Sequence, residues 1–300
     1  MTEYEQSIRR LRNSALGAAT VRAFAALEGD PAIRNPDTLA REFIDPALRP
    51  DPLDGAKVAA FRAQLEAMLP GAYHFQNART HHVDARMRAA IESGVRQVVI
   101  LGAGYDSRAY RFADLAPGLR FIEVDMPALQ AEKQATVARV LGALPGHVSY
   151  VPLDFNRQPL TDILAAGGYD PTLPVFFNWE GVSYYLDAAG VDATLDFVSR
   201  HSPAGSRILF DYMPAAMVDG SGEYHGGAES RAHMAGMGEP LRFGIPDGTL
   251  DAFLAARGLR LASAVGPDEL ENAYLVGRDG VRQGRISGYV RMAEAVVAGR

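Results

Sequence analysis

Cysteine is absent from the 300-residue chain. That excludes disulfides, thiolate metal ligands and a cysteine nucleophile; no metal site is expected. A basic excess is absent too. The formal net charge is −6 and no lysine- or arginine-rich stripe occurs, so nucleic acid is not an expected partner. No apolar run approaches the roughly 20 residues that span a bilayer, so no membrane partner is expected. The opening MTEYEQSIRRLRNS is polar and lacks the apolar region of a signal peptide. A cytoplasmic protein is the expectation. Repeats and low-complexity tracts are also missing. What is abundant is apolar residues, 48% of the chain. At this length about three quarters of the unfolded surface can be buried without covalent staples.

Two rhythms divide the chain. Residues 3–95 read as helical, with apolar stripes at Leu11, Ala15, Ala18 and Ala19 and at Phe61, Leu65, Met68 and Leu69. Pro31, Pro36, Pro46, Pro50 and Pro52 punctuate them, and a last helix is expected near Thr80–Glu92. From residue 97, short apolar runs alternate with helical segments. The runs are 97–102, 120–125, 148–154, 174–180 and 207–213; helices fit at 107–115, 127–141, 157–166, 187–201 and 247–257. Continuous apolar strands separated by helices imply a parallel sheet covered on both faces. RLASAV (260–265) and NAYLVGR (272–278) are too close for a parallel crossover, so they are expected to pair as an antiparallel hairpin. The expected fold is α/β: a doubly wound sheet of five parallel strands plus a C-terminal hairpin. Residues 1–95 would form a helical cap region. Residues 96–300 would form a Rossmann-like domain with an insertion at 212–246. That insertion is rich in Gly and Met and leaves the carboxyl end of a strand, where open α/β sheets bind ligands. It is expected to be a lid.

The stretch VVILGAGYDSRAYRF (98–112) runs a strand into a Gly-Ala-Gly turn. Gly102 and Gly104 permit a sharp turn and close approach to a ligand. A dinucleotide fingerprint needs a third glycine where Ser107 stands. Asp106, as an acidic helix cap, is also a poor neighbour for a pyrophosphate. Asp125 ends the second strand and can accept from both hydroxyls of a ribose; it can equally cap the helix beginning at Met126-Pro127. Glu123 shares its face and either joins the site or pairs with an arginine. Asp154, beside Phe155, can accept from an adenine amino group or stand as a plain loop carboxylate. These strand ends suit an adenosine and offer no phosphate grip, which points to S-adenosyl-L-methionine. Its carboxylate needs a cation, and Arg79 is the candidate.

Together ARTHHVD (78–84), QVVILGAGYDSRAYRF (97–112), FIEVD (121–125), VPLDF (151–155) and NWEGVSYYL (178–186) resemble the leucine carboxyl methyltransferase family. The bacterial branch of S-adenosylmethionine-dependent O-methyltransferases is the nearer resemblance, over roughly residues 35–280. The resemblance implies a class I methyltransferase fold. It also implies roles. Arg79 would hold the methionine carboxylate, and Gly102, Ala103 and Gly104 would line methionine and ribose. Asp125 and Met126 would serve the ribose, Asp154 and Phe155 the adenine. Glu180 would be a cofactor-side glutamate, with Tyr184 following in its motif. Eukaryotic members methylate a C-terminal leucine carboxylate of a protein phosphatase. The N-terminal region and the 212–246 insertion match nothing in them, which favours a small-molecule acceptor.

Methyl transfer from a sulfonium asks the protein to align acceptor and methyl and to exclude water. A carboxylate acceptor needs no base; a phenol does. Tyr184 and Tyr185 could orient the acceptor, or be core aromatics. His82 is a candidate base, with His81 and His225 as other histidines in plausible regions. The expected function is O-methylation of a carboxylate or phenol on a small organic molecule. Rivals are a protein carboxyl methyltransferase, a NAD-dependent dehydrogenase and a cofactor-binding protein without turnover.

Overall fold

The computed structural model describes residues 3–48, 55–153 and 160–299. Helices α1 (Glu3–Ala25), α2 (Gly55–Met68) and α3 (Ala72–Glu92) come first. Strands and helices then alternate: β1 (Gln97–Leu101), α4 (Arg108–Arg111), β2 (Arg120–Asp125), α5 (Pro127–Leu141), β3 (Val148–Pro152), α6 (Leu160–Ala166), β4 (Val175–Trp179), α7 (Ala188–Arg200) and β5 (Arg207–Tyr212). Beyond them lie α8 (Ala215–Val218), α9 (Gly227–Gly236), α10 (Leu250–Ala255), β6 (Leu259–Val265), α11 (Pro267–Tyr274) and β7 (Arg291–Val297).

One sheet runs in the order β3-β2-β1-β4-β5-β7-β6. The first five strands of that order are mutually parallel. The direction of winding reverses between β1 and β4, which creates a crevice at their carboxyl ends. Successive side chains of the parallel strands point to opposite faces of the sheet. Val98, Ile100, Phe121, Phe176 and Leu209 pack on the α3 side, while Val99, Leu101, Ile122, Phe177, Trp179 and Phe210 pack on the other. Both faces are therefore covered, and each strand reads as a continuous apolar run.

Three expectations need correction. Residues 26–48 are not helical throughout: they hold turns and two single 3-10 turns, Ala40–Glu42 and Pro46–Leu48. Pro31, Pro36 and Pro46 withhold the N–H groups a helix needs there. The helix expected at 107–115 is one turn long, since Pro117-Gly118 follow closely. The hairpin partner of β6 is not 272–278. Pro267 and the acidic Asp268 and Glu269 start helix α11 instead, with Leu270 and Glu271 buried. The partner is β7, which inserts between β5 and β6 and runs antiparallel to both. A further point concerns residues 157–159, Asp154 and Phe155, which lie outside the described residues.

The 212–246 insertion is not structureless. Its two ends meet where Pro214 bridges Ile245, with Ala215 N donating to Ile245 O at 3.1 Å and Ile245 N to Met213 O at 3.0 Å. Between those ends stand α8 and α9.

Candidate functional site

Four strand ends build the site. The chain leaves β1 through Gly102, whose φ of 71° lies in the left-handed region. A Cβ at Gly102 would also stand 2.5 Å from Val182 Cγ2, so only glycine fits. Gly102 N and Ala103 N both donate to Val124 O, at 2.9 and 3.0 Å, which fastens the turn to β2. Asp125 completes the tie. Its Oδ2 accepts from Gly104 N at 2.5 Å and its Oδ1 from Met126 N at 2.6 Å. Burial raises the Asp125 carboxyl, and these two N–H bonds pull the other way. Met126 is buried, serves as the residue preceding α5, and does not line the cavity.

Beyond β4 and β5 lies an ion network. Arg79, on α3, faces Glu180 at 3.0 Å, Asp211 at 2.5 Å and Gln76 at 2.6 Å. Asp211 also accepts from Gly181 N at 2.8 Å, so it holds the bend after β4. Arg108 joins Asp84 at 2.6 Å, Asp106 at 2.5 Å and Glu180 at 2.9 Å. Arg111 reaches Asp84 at 2.6 Å, and Arg22 of α1 reaches Asp37 at 2.8 Å. Burial would raise the Glu180 carboxyl, but Arg108 and Arg79 outweigh it and hold it low. Asp106 is held down at about 2: burial opposes this, and Arg108 and Lys133 prevail. Asp211 is raised by burial despite Arg79. Among the described residues here, six carboxylates (Asp37, Asp84, Asp106, Asp125, Glu180, Asp211) stand against four arginines (Arg22, Arg79, Arg108, Arg111). Surplus negative charge suits a cationic sulfonium and opposes a pyrophosphate.

Arg79 lines the cavity, yet it does not stand as a lone cation awaiting a carboxylate. Its terminal nitrogens donate to Asp211 and Gln76, each keeping one N–H, while Nε lies 3.0 Å from Glu180 without a hydrogen bond. Glu123 is fully buried and pairs with Lys133 at 2.7 Å, not with an arginine. His82 lies away from the cavity: its Nδ1 meets the Tyr274 hydroxyl of α11 at 3.1 Å. His81 stacks on the same Tyr274 ring. Neither faces a reacting group. Tyr184 and Tyr185 do line the cavity, with ring centroids 4.7 Å apart. Burial pushes both phenols far up, so they offer hydrogen bonds and are not bases.

The cavity occupies about 420 Å³ over the strand ends, within the roughly 300–1,000 Å³ of small-molecule sites. Gly102, Gly104, Asp106, Asp125, Asn178 and Glu180 form its floor. Its walls come from α1, α2 and α3 and from the insertion, through Met213, Ser230, His233, Met234, Met237 and Glu239. Met217, Tyr212 and Tyr224, of the same segment, are not in the lining; Met217 is core. Asp211 and His233 escaped the sequence reading. Asp211 ends an apolar strand just as Asp125 does, which was the available signal. His233 sits with Ser230, Met234 and Met237 at helical spacing inside a Gly-rich stretch that masked the periodicity.

Comparison with known proteins places this geometry. Two solved structures share the fold: a DUF574-family protein of Streptomyces avermitilis (17% identity, TM-score 0.55, 80% of this chain and 90% of that one) and a provisionally named methyltransferase of Thermobifida fusca (15%, 0.54, 81% and 88%). Two relatives are named, provisionally, S-adenosyl-L-methionine-dependent methyltransferases. YktD of Bacillus subtilis is 29% identical over 67% of this chain, and FRAAL3718 of Frankia alni 36% identical over 65%. The match spans 66% of each relative's length, just under two thirds. The solved structures show a shared fold, and the relatives a likeness over about two thirds of the chain. The chain belongs to the leucine carboxyl methyltransferase family, whose model matches residues 15–199, more than half of it.

Proposed function

We propose that this protein transfers a methyl group from S-adenosyl-L-methionine to an oxygen of a small organic molecule, a carboxylate or a phenol. The observation that carries the reading is the cavity itself. Its floor is the glycine turn and Asp125, and its roof is α9 with its methionines. When bound, the cofactor supplies an electrophilic methyl on a cationic sulfur. Asp125 would hold the ribose hydroxyls with the lone pairs that Gly104 and Met126 leave free. Gly102 and Gly104 would let the backbone lie against the cofactor, and the acidic surplus would favour its positive charge. The N–H groups of Arg79 that the protein leaves without a hydrogen bond would receive its carboxylate. Tyr184 and Tyr185 would orient the acceptor oxygen by donating hydrogen bonds. In this reading residues 1–95 cap the domain formed by 96–300, and the insertion closes over both ligands.

The family's namesake reaction, on a protein carboxyl terminus, is the second reading, and family membership favours it. A protein tail would need an open groove, whereas residues of α1, α2, α3 and the insertion wall this cavity. Label transfer from methyl-labelled cofactor to a panel of aromatic acids, phenols and a leucine-terminated peptide tests the choice. Transfer to small acceptors is expected; transfer to the peptide alone contradicts it.

A further inference from the structure

Helix α9 presents one stripe to the cavity. Ser230, His233 and Met234, with Met237 at the residue that caps the helix end, lie at positions i, i+3, i+4 and i+7, and all four line it. The stripe is anchored, because Ser230 is buried and accepts a bond from the Tyr289 hydroxyl at 2.7 Å. His233 is the one histidine among the lining residues. Phe75, Tyr185, Met234, Met237 and Tyr289 wall the cavity around it, and the cation against this wall is Arg79, 5.2 Å from the Phe75 ring centroid and already faced by Glu180 and Asp211. In the methyl-transfer reading Arg79 is spent on those two carboxylates and on the cofactor's own, so an ionised acceptor carboxylate would lose its water without a cation of its own. A phenol would find aromatic and thioether walls, but it must lose a proton.

The carboxylates of the floor are already engaged. Asp125 holds two backbone N–H groups, Glu180 holds two arginines, Asp106 holds Arg108 and Asp37 holds Arg22. Imidazole is the side chain most often used to take a proton at neutral pH. From this geometry we infer that His233 is the general base of the site and that the acceptor is a phenol. The inference rests on the methyl-transfer reading above. The phenolic proton moves to the unprotonated ring nitrogen of His233. The oxygen's electron pair forms the new O–CH3 bond as the methyl–sulfur bond breaks, and its electrons leave on sulfur as a neutral thioether. His233 is half-exposed, so its proton then passes to water.

The test compares wild-type protein with His233→Gln, His233→Ala and Glu239→Gln. It uses phenols graded in acidity from para-cresol to para-nitrophenol, with benzoate as the carboxylate. Cofactor affinity and melting temperature are measured alongside. His233→Gln is expected to keep both, to lose about 10²- to 10⁴-fold in kcat on para-cresol, and to lose far less on para-nitrophenol that is already ionised in alkaline buffer. Added imidazole is expected to restore part of the turnover of His233→Ala. Equal loss on both phenols, no loss, loss in Glu239→Gln instead, or transfer by the wild type to benzoate and no phenol overturns the inference. Failure of the wild type to bind S-adenosyl-L-methionine at all overturns the underlying reading and this inference with it.

Discussion

At the scale of single residues, Asp125 carries the most weight. It joins the ends of β1 and β2 through two backbone N–H bonds, and its outward lone pairs are those a ribose diol would use. Asp125→Ala is expected to weaken cofactor binding by about 1.5–3 kcal/mol, the worth of hydrogen bonds to a charged group. Titration calorimetry against S-adenosyl-L-methionine measures it; unchanged affinity with a lowered melting temperature would reduce Asp125 to a structural tie. Gly102 and Asp125 were legible because they stand at the ends of apolar strands, and strand ends converge in this architecture; Glu180 came only through the family resemblance. The partners of Arg79 were not legible. Asp211 lies 132 residues away in sequence, and only the sheet order brings them together. His82 misled for the opposite reason. It stands one helical turn from Arg79, but its ring is taken up by the Tyr274 hydroxyl of α11, away from the cavity.

At the scale of elements, α9 is the piece that makes a cavity of a crevice. Its cavity stripe is held to the body by the Ser230–Tyr289 bond. Ser230→Ala is expected to cost about 1 kcal/mol of stability and to raise KM for the acceptor while sparing cofactor affinity. Steady-state kinetics with each substrate varied in turn checks this; a raised KM for the cofactor alone would contradict it. The parallel strands were legible almost residue for residue, since a doubly covered strand is an uninterrupted apolar run. The C-terminal pairing was not. NAYLVGR has strand-like composition, yet Pro267 and two acidic residues upstream start a helix that runs into it. Local helix signals thus overrode β-propensity, and β7 found its place by long-range pairing with β5.

At the scale of the whole molecule, buried ionisable groups set the response to pH. Burial holds His74 and His82 at about 4, against an ordinary 6.5. Between pH 6.5 and about 4 the unfolded chain takes up protons at these rings and the folded chain does not. The stability from each neutral ring is therefore full above 6.5 and lost as pH falls toward 4, up to about 3 kcal/mol apiece. Glu123 runs oppositely, because burial pushes it up to about 7 against the pull of Lys133 and the folded chain protonates it first. Removing one ring by His82→Asn is expected to flatten the loss, so that the variant's deficit against the parent shrinks as pH drops across that window. Urea unfolding at several pH values reads it; a constant deficit would contradict it. The same charges bear on ligand choice, since the acidic surplus under the cavity selects between adenosine cofactors by their charge. Titration calorimetry with S-adenosyl-L-methionine and NAD is the most direct measurement of that claim. Binding of the sulfonium cofactor with no heat from NAD is the expected result; tight NAD binding with none for S-adenosyl-L-methionine would contradict it.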